Sequence, residues 1–222
     1  MKHVVVTGGT GGLGAAVVER LLADGATVHL PMMEAALPAH LPWRDRVHAV
    51  PGVSLDQEAQ VAGFYAALPE LWASIHLVGG FAMAKVTETS LADFEKQWRL
   101  NTATCFLTCR EAVRAMKHGG RIVNVAARPA VTPTPGMIAY ATAKAGVAAL
   151  TQALAAEVLD RGILVNAVLP SIIDTPANRA SMPKADHQSW PQPAQLAETI
   201  AFLASEKNAL TTGTLVPVYG RA

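Results

Sequence analysis

The amino-terminal stretch leaves a chain of this kind few options. Residues 2–7 form a β-branched run, the pattern of a strand buried within a parallel sheet. A glycine cluster follows at once, Thr7-Gly8-Gly9-Thr10-Gly11-Gly12-Leu13-Gly14, and residues 15–23 then carry apolar side chains at helical spacing around Glu19 and Arg20. Glycine permits a tight turn and lets backbone amides approach a phosphate. The helix after it offers unpaired N–H groups and the positive end of its dipole. Strand, glycine turn and helix in this order make the first half of a nucleotide-binding βαβ unit. A glycine turn without a ligand is the competing reading, and the flanking strand and helix weigh against it.

The alternation continues. Further strands are predicted at residues 26–30, 46–50, 74–78, 121–126, 163–169 and 214–218, with helical patterns between most of them. Pro38 and Pro42 predict that the crossover between strands two and three is reduced. Ser54 with Gln57 reads as a capping box opening a helix to about Leu68, and Ser90 with Asp93 opens a helical region to Lys117 that breaks near Leu100-Asn101. Asn101 lies among apolar residues, where an unpaired amide is costly, so it needs a hydrogen-bonding duty. Gly79-Gly80 follows strand four, at the sheet edge where open α/β folds bind ligands. Residues 177–193 lack an apolar period and read as a mobile lid, within a lid region of about 171–193. Seven strands alternating with helices predict one doubly wound α/β domain over residues 1–222.

Charge and cysteine usage exclude several functions. Eighteen basic residues against 17 acidic ones, with no basic run, predict no nucleic-acid partner. No apolar stretch is long enough to predict a membrane span, and the chain enters a strand directly with no room for a signal peptide, so a soluble cytoplasmic protein is expected. Cys105 and Cys109 read as buried free thiols and no metal site is expected. His29, His48 and His76, on strands, read as structural.

Residues 139–158 are strong helix formers carrying Tyr140 and Lys144 on one face, one turn apart. A phenol beside an ammonium is made more acidic: at an effective dielectric of ~20 and ~6 Å the attraction is about 2.8 kcal/mol, or roughly two pKa units. A half-exposed pair on an ordinary amphipathic helix is the competing reading. This helix and the one before it are apolar nearly all round, more than one buried face requires, so a homodimer or homotetramer is expected.

Taken together, Thr7-Gly8-x-x-x-Gly12-x-Gly14, Asn101, Tyr140, Lys144 and the Pro170 to Thr175 segment resemble the short-chain dehydrogenase/reductase family over essentially the whole chain. The resemblance implies a Rossmann fold with a mostly parallel seven-stranded sheet, helices on both faces, NADH or NADPH as cofactor, and a small-molecule substrate. It implies that Tyr140 exchanges a proton at the reacting group. Lys144 would lower the tyrosine pKa and bind the nicotinamide ribose, and Asn101 would hold a water linking Lys144 to solvent. Gly8, Thr10, Gly12, Leu13, Gly14, Gly79, Gly80, Pro170, Ile172 and Thr175 would contact the cofactor. The sequence departs from the pattern at Ala127, where the family has a catalytic serine, and at Leu77-Val78-Gly79-Gly80, where it has Asn-Asn-Ala-Gly. Those departures, with the strings TPGMIAYATAK and VLPSIIDTPANRASMPKADHQSW, are similar to the quinonoid dihydropteridine reductase branch. There one tyrosine donor suffices for a conjugated ring, while Ala127, His187 and Trp190 would face the substrate and Trp190 would stack on it. Thr132 or Thr134 replacing the serine in an ordinary ketone or alcohol oxidoreductase is the alternative, and a non-catalytic nucleotide-binding scaffold is another. Pro31-Met32-Met33-Glu34 stands where the adenosine ribose would lie. The methionines offer neither an acid for the hydroxyls nor a cation for a 2′-phosphate, so the stretch does not select between NADH and NADPH.

Overall fold

The computed structural model describes residues 2–132 and 134–221. Its seven strands are β1 (His3–Thr7), β2 (Thr27–Pro31), β3 (His48–Val50), β4 (Leu71–His76), β5 (Gly120–Val125), β6 (Ile163–Pro170) and β7 (Leu215–Val218). They form one sheet in the order β3-β2-β1-β4-β5-β6-β7, and every pairing is parallel. The winding direction reverses between β1 and β4, and the carboxyl ends of those strands flank the crevice where such sheets bind ligands.

Successive side chains of β1 leave the sheet on opposite faces, and the two halves of the core divide accordingly. Val4 and Val6 pack with α1 (Gly12–Ala23) and α7 (Pro193–Ala204) through Val17, Leu21 and Ile200. Val5 packs on the other face, with α2 (Glu58–Ala66), α4 (Thr104–Ala115) and α5 (Ile138–Glu157) through Phe64, Ala112 and Val147. Each fully buried aliphatic side chain contributes roughly 1.5–3 kcal/mol, so burial on both faces holds the sheet between its helices. The remaining helices are α3 (Leu91–Trp98) and α6 (Pro176–Ser181). No helix among the described residues is long and apolar enough to cross a membrane.

Several boundaries differ from the sequence reading for local reasons. The β2–β3 connection holds only a 3-10 turn at Arg44–Arg46, the reduced crossover that Pro38 and Pro42 predict. The Ser54–Gln57 box does not form: Ser54 Oγ donates to Asp56 Oδ1 at 2.6 Å, and α2 begins later, at Glu58. The Ser90–Asp93 box does form and opens α3. Strand β4 ends at His76, not residue 78, because Leu77 and Val78 turn their N–H groups to the Thr7 hydroxyl at 3.1 and 3.5 Å. Residues 177–193 are partly helical: Thr175 accepts from the Asn178 N–H and caps α6, with Pro176 at its first position.

Candidate functional site

The glycine loop is built by backbone proximity. Gly8 has φ +69°, and the Gly11 N–H donates to its carbonyl at 3.1 Å. A Cβ on Gly14 would lie 2.0 Å from that same carbonyl, which no side chain tolerates. A Cβ on Gly12 would meet Thr175 Cγ2 at 2.8 Å, so the loop after β6 packs directly on the glycine loop. Helix α1 starts there with no side-chain cap and no acid in its first turn. Its N–H groups are thus left to an anion, and Thr10 and Leu13 lie half-buried on the same turn. This cradle fits a dinucleotide pyrophosphate.

Asn101 finds its duty at the second crevice wall. Between α3 and α4 the helix passes through a π turn at Arg99–Ala103, a form that recurs at functional sites. The turn carries Asn101 inward, where its Nδ2 donates to the Gly80 carbonyl at 3.0 Å and its Oδ1 accepts from the Gly80 N–H at 3.2 Å. Gly79 lies between two of the expected site residues: a Cβ there would be 2.6 Å from Asn101 Oδ1 and 3.1 Å from Lys144 Nζ. Gly79→Ala is therefore expected to weaken cofactor binding and turnover by about tenfold each, since relieving such a contact costs about 1–3 kcal/mol. Cofactor titration and steady-state rates of the variant check this.

Tyr140 and Lys144 sit on α5 as predicted, but their electrostatics run against the expected direction. Lys144 is buried, its Nζ donating to the Val125 carbonyl at 2.8 Å, and loss of solvent pushes its ammonium down to about 8. Burial likewise pushes the Tyr140 phenol up, to about 12. For both groups desolvation is the leading cause, and it favours the neutral form. The Phe81 ring meets Tyr140 edge-on at 5.0 Å. Beside them opens a cavity of ≈ 480 Å³ lined by Gly80, Phe81, Met83, Gln97, Leu100 and Ala139.

Ala127 is buried, at 5% exposure, and supplies no hydroxyl. Thr132 is exposed on the loop beyond it, and Thr134 Oγ1 donates to the Thr132 carbonyl at 3.4 Å.

The segment after Pro170 is tied down at several points. Ser171 Oγ donates to the Tyr219 carbonyl at 2.6 Å, and Ile172 is partly exposed. Asp174 takes Arg179 Nη2 at 2.7 Å and Gln192 Nε2 at 2.6 Å. Arg179, then Gln192, holds this carboxyl well below the usual range. Trp190 corrects the sequence reading. It is buried against the half-buried His187, ring centroids 4.6 Å apart, with His187 Nε2 donating to the Met182 carbonyl at 2.8 Å. The indole is packing for the segment and presents no stacking face to a substrate.

At the end of β2, Met32 is buried while Met33 and Glu34 are exposed. A hollow of ≈ 400 Å³ opens there between Met32, Ala35, Leu37, Arg44, Asp45 and Pro51. Arg44 is the residue the sequence reading passed over. Its signal in the sequence is the Arg44-Asp45-Arg46 run before β3, and the fold brings Arg44 and Asp45 of that run to the hollow beyond β2.

The sequence matches the short chain dehydrogenase family over residues 2–186. An uncharacterized short-chain type dehydrogenase/reductase of Sinorhizobium fredii is 30% identical over 99% of this chain, which spans only 43% of that relative. The 3-beta-hydroxysteroid dehydrogenase of Comamonas testosteroni is 31% identical, with 96% of this chain and 92% of that protein covered. Among solved structures, ElxO with NADP bound matches with a TM-score of 0.91 at 25% identity, covering 99% of this chain and 97% of its own.

Proposed function

The chain belongs to the short-chain dehydrogenase/reductase family and is an NAD(P)-dependent oxidoreductase of that type, and from this premise we propose that it reduces a conjugated, pterin-like substrate with Tyr140 as proton donor. The observation that carries the reading is a buried alanine at position 127, with Tyr140 present on α5. A carbonyl oxygen taking hydride gains from two donors, and losing one positioned donor costs about 100-fold or more. A conjugated ring spreads the developing charge and can be served by one. Thr132 is exposed and the Thr134 hydroxyl is given to the Thr132 carbonyl, which speaks against their replacing the serine. Burial raises the Tyr140 phenol to about 12 and so keeps its proton in place across the physiological range, where the reductive direction consumes it. A phenol so raised is a weaker acid than one tuned toward neutral pH.

The nicotinamide cofactor supplies the hydride when bound. The chain's part is to seat the pyrophosphate on the Gly8–Gly14 turn, to hold Gly80 through Asn101, and to keep the Tyr140 proton at the reacting edge. Lys144, one turn along α5, would reach the ribose and Tyr140 hydroxyls, and Ile172 and Thr175 the carboxamide. His187 stays a candidate at the substrate side.

Arg44, its Nε 3.6 Å from Asp45 Oδ1 on the exposed rim, is the cation lining the hollow at the end of β2, which supports a preference for the 2′-phosphate of NADPH. A charge-assisted contact of about 1.5–3 kcal/mol corresponds to a preference of roughly tenfold or more. Fluorescence titration with NADPH and NADH is expected to show that gap, and Arg44→Ala to close it. Equal affinities in the parent protein would remove Arg44 from the role. Steady-state oxidation of NADPH should run fast with a quinonoid pterin and poorly with a panel of simple ketones. The reverse order would replace this reading with ketone reduction.

The half-exposed Trp98, Phe106 and Ile138, on or beside α3, α4 and α5, support a homodimer or homotetramer through those helices. Light scattering at micromolar concentration should find no monomer.

A further inference from the structure

Beneath the crevice, inside the core face covered by α2 and α4, lies a polar cluster that the reductase chemistry does not use. Cys105 and Cys109 project from adjacent turns of α4 with their sulfurs 4.0 Å apart. His76, the last residue of β4, brings its Nδ1 to 3.4 Å from Cys109 Sγ. The three ligating atoms lie within 4.8 Å of one another, and all three residues are buried. A point equidistant from atoms so spaced lies roughly 2.4 Å from each, close to zinc–sulfur and zinc–nitrogen bond lengths of about 2.3 and 2.0–2.1 Å.

We propose that Cys105, Cys109 and His76 form a structural binding site for a thiophilic divalent cation of the zinc type, with the Asn124 side chain completing it. Asn124 pairs with His76 across the β4–β5 ladder, and its Oδ1 is 2.8 Å from His76 Nδ1 and 3.4 Å from Cys109 Sγ. That supplies the fourth position a tetrahedral cation takes. The outer contacts are in place as well. His76 Nε2 is 2.8 Å from Ser74 Oγ, which is 2.8 Å from the Tyr65 hydroxyl, and Asn124 Nδ2 donates to Thr151 Oγ1 at 2.9 Å. The Ser74 and Tyr65 hydroxyls can rotate to accept an Nε2–H, leaving the Nδ1 lone pair to the cation. Each thiol loses one proton on binding, so two thiolates and a dication sum to zero charge. A neutral complex is what a buried site tolerates. The sequence reading expected no metal because it saw only two thiols on one helix. The imidazole comes from a strand distant in sequence, and only the fold brings it in.

A bound cation would tie α4 to β4 and β5 directly below the π turn that carries Asn101. It would therefore stiffen the crevice without touching substrate. The test uses the full-length protein, reduced, stripped of metal and titrated with Zn2+ against a chromophoric chelator. One equivalent is expected to be held, with affinity falling roughly 100-fold or more in Cys105→Ser and Cys109→Ser. Zinc should also protect both thiols from alkylation in the wild-type protein. X-ray absorption at the zinc edge of the wild type gives an answer independent of how the variants fold: two sulfur ligands are expected. No retained zinc, or zinc with nitrogen and oxygen ligands alone, overturns the proposal. So does binding lost with His29→Gln and kept in the cysteine variants, since His3, His29 and His48 form a separate row of rings on β1, β2 and β3.

Discussion

Tyr140→Phe is expected to lower NADPH-dependent turnover by roughly 10²–10⁴-fold, the range that a positioned general acid contributes. Cofactor affinity should stay within about twofold, because the change deletes one oxygen and no contact of the glycine cradle. The ring keeps its volume and its edge-on packing at 5.0 Å to Phe81, so the fold has no reason to yield. Burial already disfavours the ionised phenol, which leaves the neutral hydroxyl as the only proton source on this face of α5 that the proposed chemistry employs. Single-turnover rates and a separate NADPH titration divide the two effects. Turnover that survives unchanged would take the proton-donor role away from Tyr140. A parallel loss of binding would mean that the substitution had disturbed the crevice instead.

Much of this architecture could be read before any coordinates, and the reasons are local. Gly14 had to be glycine because its Cβ position is occupied by the Gly8 carbonyl, a clash internal to one turn. Pro38 and Pro42 removed a helix wherever the rest of the chain went. The Ser90–Asp93 box closed because its partners are three residues apart and nothing nearer competes. At Ser54 a nearer partner did compete: Asp56 took the hydroxyl, and the same residue pattern produced no cap.

The site's electrostatics were legible only in part, because they depend on burial and on residues far apart in the chain. The i, i+4 spacing of Tyr140 and Lys144 is legible in the sequence, whereas the burial that shifts both groups toward their neutral forms is not, since spacing says nothing of desolvation. Trp190 looked like a stacking surface in a loop rich in proline. The Asp174–Arg179–Gln192 ties fold that loop so that the indole is inside. Arg44 lies in a short charged run and His76 on a strand, and only the sheet order sets them beside Met32 and the cysteines.

Lys144 is where function and stability oppose each other most directly. Its ammonium is held in the protein interior at a cost, which is why its pKa falls from 10.5 to about 8. Below pH 8 the folded protein must bury the charge. Between pH 8 and 10.5 the unfolded chain binds more protons than the folded one at this residue, so its penalty is relieved as pH rises. Lys144→Met keeps the length of the side chain and removes the charge. A fall from 10.5 to about 8 corresponds to an ammonium penalty of about 3 kcal/mol, which an apolar side chain of similar length does not carry. The Val125 carbonyl loses its Nζ donor, at about 0.5–1.5 kcal/mol, so a net gain of roughly 1–3 kcal/mol at pH 7 is expected. The gain should shrink as pH rises toward 10, because the wild type recovers while the variant has nothing to recover. Tyr140, raised to about 12, favours its neutral form in both proteins and begins to cost stability only above pH 10, so it does not distort this comparison. Turnover should nevertheless fall by about 100-fold or more, as the crevice loses its buried cation beside the reacting groups. Denaturant unfolding of both proteins at pH 7 and pH 9 checks the first claim, and initial rates the second. A variant less stable at pH 7, with the same pH slope as the wild type, would mean that the ammonium is compensated in the folded state and that α5 carries no such strain.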